Sequence, residues 1–414
     1  MRRALAAALA VGLTAATGTA TAATTRLDRH GTVVLDGRKV FPIVLAKGPP
    51  ADGYAEVAAA GVNVLKIGPA GHWNEGEVAA AIAANRAAAA HGLHTWVNLS
   101  ALATAAPGSI GELLLGQVIG ALEADPSARA VAMWKGADEP LRFRVSPRSL
   151  RFAYCLGTGR GPRAWCRGRV PLDRDRLWVT VQAPRGAIRG LARYGGVTDV
   201  HGVNRYPIAI GDPDPNLSEV GLWTNKLGFA TPNRAVWTTL QVCWTWSFDA
   251  FGNIALPTFE QERFMVYDAI VNGARAIAFY GGNNPKCWRP LDALRGWNWT
   301  FWEAVLEPLV REIGARSPLA PALVQPGTTR WLRSSDPTTQ VISRRGRGGD
   351  LWVIAARSGE ESDRVTITDL PRWATRAEVY TEGRVVDAAG GTLTDSFDQW
   401  AVHVYRFRRP QRPG

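Results

Sequence analysis

The most constraining feature of this chain is a recurrence. Eight short apolar runs of β character occur between residues 41 and 282, and a helical pattern or a long connection lies between each and the next. They are FPIVLAKG (41–48), NVLKIGP (63–69), HTWVNLS (94–100), AVAMWKGADEP (130–140), LWVTVQA (177–183), DVHGVNRYP (199–207), AVWTTLQVCW (235–244) and AIAFYGG (276–282). Strands this uniformly apolar are buried on both faces, as parallel strands are when helices cover them. Eight β-α units over roughly 280 residues are the size of a closed (β/α)8 barrel. An open doubly wound sheet is the alternative, but the first turn, KGPPADG, lacks the glycine spacing of a phosphate-binding turn.

The pattern changes at the Pro-rich stretch RSPLAPALVQPGTT. Beyond it, short alternating runs such as LWVIAAR, RVTITDL and AVHVYRF are separated by turn residues. They predict an all-β sandwich over 321–414 that covers a face of a barrel spanning 23–320. Residues 1–22 read as a secretory signal peptide: Met-Arg-Arg, an apolar run, then a small-residue segment ending Ala20-Thr21-Ala22. Its apolar run is too short for a comfortable membrane span, and no later run reaches membrane length. The expectation is a secreted protein, extracellular or held in the periplasm or cell wall.

Export gives the cysteines a meaning. Four cysteines in an exported chain imply disulfides before metal or nucleophile. Cys155 and Cys166 flank a Gly-rich loop that a bridge would close, leaving Cys243 with Cys287; spacing alone leaves three connectivities open. The six histidines show no metal-ligand spacing, so no metal and no cofactor are expected. Formal charge is +12, and 42 of the 48 basic residues are Arg, scattered singly more than clustered. No basic helix with interleaved aromatics and no nucleic-acid motif is present, so nucleic acid is not an expected partner. Attraction to an acidic polymer stays open.

In a parallel barrel, reactive groups gather at the C-terminal ends of the strands. Here those ends carry Lys47, Lys66, Asn98, Asp138 with Glu139, Asn204 with Tyr206, Gln241 and Tyr280, and Trp134 and Trp244 lie nearby. Flat aromatic faces beside convergent polar groups favour a saccharide over a phosphate or nucleotide. The bland alternatives are burial for the aromatics and a structural salt bridge from Glu139 to Lys66 or Lys135.

These residues resemble the clan A glycoside hydrolases, whose fourth strand ends in an Asn-Glu-Pro motif that supplies the acid/base. Asp138-Glu139-Pro140 occupies that place here, and GVNVLKIGP, DVHGVNRYPI and PTFEQERFMVYDAIVNGARAIAFYGG are further similarities. The resemblance implies cleavage of O-glycosidic bonds in an oligo- or polysaccharide, with Glu139 as general acid/base. It fails in one place: where such enzymes carry a nucleophilic Glu at the end of strand 7, this chain has Gln241, and an amide cannot form the glycosyl-enzyme bond.

Three readings follow. Glu139, its pKa raised by Asp138 and apolar surroundings, acts as general acid while another carboxylate, for which Asp249 is the candidate, activates water. Or Gln241 orients a substrate carbonyl that itself attacks. Or the barrel binds a glycan without cleaving it. An enzyme acting on acidic polymers is a further rival.

Overall fold

A computed structural model describes residues 24–327 and 332–410. The expected signal peptide, residues 1–22, lies outside the described residues. Strands β1 (Thr25–Leu27), β2 (Val33–Leu35) and β3 (Arg38–Val40) form a small antiparallel sheet. It caps the N-terminal end of the barrel: Val33 and Leu35 join the apolar cluster of the barrel interior, and the Thr25 amide donates to the Asp175 carbonyl just before a barrel strand.

Eight parallel strands then close into a barrel. They are β4 (Ile43–Leu45), β5 (Val64–Ile67), β6 (His94–Asn98), β7 (Val131–Asp138), β8 (Leu177–Gln182), β9 (Val200–Asn204), β10 (Ala235–Gln241) and β11 (Ile277–Tyr280). β11 pairs with β4, so no edge remains open. Each strand falls inside one of the eight apolar runs. Alternate residues fill the interior (Val44, Val64, Trp96, Met133, Val179, Val200, Trp237, Ala278), and their neighbours pack outward on the helices (Leu45, Leu65, Val97, Trp134, Trp178, Leu240, Phe279).

The helices start where local chemistry dictates. Asn74 caps Glu75–Ala90 by accepting from the Glu77 amide, and Thr258 with Gln261 forms a reciprocal capping box on Phe259–Val271.

Beyond the barrel, eight antiparallel strands between Arg333 and Phe407 make one sheet. Strands distant in its hydrogen-bonded order share one apolar core, with Val353 and Ala355 packing with Val365, Leu393 and Phe397. The sheet therefore folds over itself into two layers, as the alternating runs required. It docks on the barrel through Trp352, Ile354 and Val404. Arg263 joins the two parts, pairing with Glu312 and donating to the Val402 carbonyl at 2.8 Å.

Two disulfides are present, Cys155–Cys166 and Cys243–Cys287. The second ties the loop after β10 to the loop after β11. Gly281 lies within that crossing at φ 105°, where a Cβ would come 1.8 Å from the Cys243 carbonyl oxygen. Only glycine fits so close an approach. Among the described residues, no helix is long and apolar enough to cross a membrane.

Candidate active site

The C-terminal ends of the strands open into a cavity of about 910 Å³. Of the residues singled out in the sequence, Lys47, Lys66, Asp138, Glu139, Asn204, Tyr206, Trp244 and Tyr280 line it. β7 presents its two acids through an irregularity: register with β8 shifts between Lys135 and Asp138. Gly136 sits within that shift because a Cβ there would meet the Trp178 ring nitrogen at 1.9 Å.

Glu139 then takes φ 47°, in the left-handed region. A bulky residue holds that conformation at a cost of about 1–3 kcal/mol, and such strain collects at functional sites. The Glu139 amide donates to the Val181 carbonyl at 2.6 Å, which fixes the turn. Its side chain accepts from the Asn204 amide at 3.1 Å and from Arg142 at 2.8 Å. Those surroundings are polar, not the apolar enclosure anticipated from the sequence.

Asp138 is paired differently. It binds Lys135 at 2.9 Å, and Lys135 also donates to the Ser100 hydroxyl, which in turn donates to Asn98. The structural salt bridge foreseen for Glu139 with Lys66 or Lys135 thus falls to Asp138, and Glu139 takes Arg142.

Four expected positions do not reach the cavity. Asn98 is buried, its side-chain amide bound to the Pro69 carbonyl and its oxygen to Ser100, so it props up the loop that holds Lys135. Trp134 is fully buried on the outer face of β7, its ring nitrogen on Asp173 at 2.6 Å. Gln241 does end β10, level with Tyr280 in register, but it is fully buried and does not line this cavity. Its carbonyl accepts from the Ile208 amide and its amide donates to the Ile208 carbonyl, both at 2.9 Å. Asp249 lies in a separate surface turn, accepting from the amides of Phe251 and Asn253. Asp138 and Glu139 are the only carboxylates among the described residues lining the cavity.

An aromatic wall faces them. Tyr206 and Tyr280 stack at 5.7 Å with planes 9° apart, and Trp244 leans on Tyr206 at 5.6 Å. Burial first, then the adjoining Tyr280 hydroxyl and the charges of Asp138 and Glu139, push the Tyr206 hydroxyl well above its ordinary range. Burial and the same two acids raise Tyr280. Both stay neutral donors.

The floor is cationic. Lys66 keeps some surface open to the cavity but is walled in by protein, and among the described residues it has no hydrogen-bond or ion-pair partner. Burial first, then the charges of Lys135 and Lys47 against the opposing pull of Asp138, bring its ammonium down to about 7. Sequence reasoning missed Arg142, Arg185 and Arg205 in the lining, because a cation on an irregular loop leaves no periodic trace. Among the described residues, no group of three His, Cys, Asp or Glu is arranged to hold a metal ion.

No family model and no curated protein matches the sequence. Solved structures do match the fold, and glycoside hydrolases of several families share it. A family 5 glycoside hydrolase from Bacteroides vulgatus superposes with a TM-score of 0.58 at 11% identity, covering 92% of this chain and 93% of that one. An α-amylase from Geobacillus thermoleovorans, complexed with acarbose, gives 0.54 at 13%, covering 87% and 92%. A family 27 β-L-arabinopyranosidase from Geobacillus stearothermophilus, in complex with arabinose, gives 0.51 at 10%, covering 90% and 98%. The architecture implied by the resemblance, an eight-stranded parallel barrel with a trailing antiparallel β domain, is the one found.

Proposed function

We propose that this is a secreted saccharide-active barrel that cleaves an O-glycosidic bond, with Glu139 as the general acid/base. One observation carries the reading: Glu139 is held in a strained backbone at the end of the fourth barrel strand, its carboxylate aimed into the cavity and anchored by Asn204 from the sixth. Tyr206, Tyr280 and Trp244 offer faces for sugar rings opposite it. Arg142 is half exposed on its loop, so an entering sugar can displace it from Glu139.

With Asp138 and Glu139 adjacent at the end of one strand, the opposite wall offers no carboxylate nucleophile among the described residues. The attacking group is then a water held by Asp138 or a carbonyl of the substrate itself. A second reading is favoured by the same fact: a barrel whose Gln241 is buried and whose Asp249 lies elsewhere suits a receptor that binds a glycan without cleaving it. A broad panel of plant, microbial and host glycans, assayed for binding and for released reducing ends, separates the two. Release supports the hydrolase; binding with no release supports the receptor; neither sinks both.

A further inference from the structure

Six cations line the cavity against two carboxylates: Lys47, Lys66, Lys135, Arg142, Arg185 and Arg205. Three are spent, Lys135 on Asp138, Arg142 on Glu139 and Arg205 on Glu219. Lys47, Lys66 and Arg185 have no acidic partner among the described residues. Their chemistry is selected, too: the chain uses Arg for 42 of its 48 basic residues, yet three of its only six lysines face this one cavity. A lysine is a compact point charge, suited to a single anionic group deep in a pocket.

Glycoside cleavage adds a difficulty that an anion would remove. Positive charge develops on the sugar ring in the transition state, and uncompensated cations lining the same cavity oppose it. A negative group on the sugar itself neutralises them. Lys66 meanwhile is kept desolvated and unpaired, an arrangement that costs stability and that a structural role does not explain.

We infer that the saccharide this cavity takes is anionic, with a carboxylate or sulfate seated on Lys66 and with Lys47 and Arg185 completing the positive lining. The inference rests on the reading of the cavity as a saccharide site. The two sources of negative charge share one recognition chemistry, a charge-assisted hydrogen bond to an ammonium in a partly dry site.

Titration calorimetry on the intact protein tests it with three ligands: a glucuronic-acid-bearing oligosaccharide, the same molecule with its carboxyls reduced to alcohols, and the reduced molecule bearing sulfate. The expected result is at least about tenfold tighter binding of an anionic member over the reduced one, an advantage that Lys66→Met removes. Which anionic member wins assigns the source. The advantage should also shrink as pH rises above about 7, where Lys66 loses its charge, while binding of the reduced sugar stays level.

Equal binding of all three overturns the inference and leaves the saccharide reading standing. Binding of none of them, nor of any glycan in the broader panel, overturns both. Because the ligand comparison uses the unaltered protein, a misfolded Lys66 variant does not blunt the test.

Discussion

Gln241 bonds twice to the main chain of Ile208, accepting from its amide and donating to its carbonyl, each at 2.9 Å and wholly out of solvent. The residue that ends the seventh strand therefore fastens the loop after the sixth, which carries Tyr206. Gln241→Glu should not create a nucleophile. It places a carboxylate oxygen against the Ile208 carbonyl in a buried site and should cost about 2–4 kcal/mol in denaturant unfolding, with no gain in glycan hydrolysis. A variant of native stability and raised activity contradicts this.

Glu139 sits at φ 47°, so Glu139→Gly relieves backbone strain at the price of two side-chain bonds. Stability should stay level or rise by about 1 kcal/mol while turnover disappears. A loss of several kcal/mol in thermal unfolding makes the residue structural instead.

Lys66 has its proton affinity lowered from the ordinary 10.5 to about 7. Between those values the unfolded chain holds more protons than the folded one, so stability rises with pH across that window; below about 7 the cost of the buried charge is complete. Lys66→Met should therefore stabilise the protein by at least about 2 kcal/mol at pH 6 and progressively less toward pH 10. Unfolding curves at several pH values decide it, and a pH-independent difference refutes it.

Glu262, on the helix Phe259–Val271, is fully buried with neither carboxyl oxygen hydrogen-bonded among the described residues, and burial holds its pKa well above the ordinary 4.5. The folded state keeps a proton that the unfolded chain releases, so stability falls as pH rises beyond that value. Glu262→Gln carries no charge at any pH and should gain at least about 1 kcal/mol at pH 8, with a difference near zero at pH 4. The opposite slope in chemical denaturation would falsify this account of Glu262.

The barrel was legible because its strands are apolar on both faces, a signal strong enough to locate all eight runs, and the trailing β domain because its alternation differs from theirs. The cavity was legible only in part. Lys66, Glu139, Asn204 and Tyr280 follow from the rule that strand ends meet at the mouth. Trp134 does not: it lies between Met133 and Lys135, which face inward, so two-residue alternation puts it outside. Gln241 was placed at its strand end correctly, but a loop folded over it, and local sequence does not encode which loop covers a strand end. Arg142 and Arg185 come from such loops as well.

The sharpest test compares wild-type protein with Glu139→Gln on the best glycan of the panel, measuring turnover and binding on the same preparations. Removing a general acid/base of this kind should lower turnover by at least about a hundredfold while Kd changes by less than about threefold. Equal turnover by the two proteins, or tight binding by the wild type with no turnover at all, contradicts Glu139 as the group that does the chemistry.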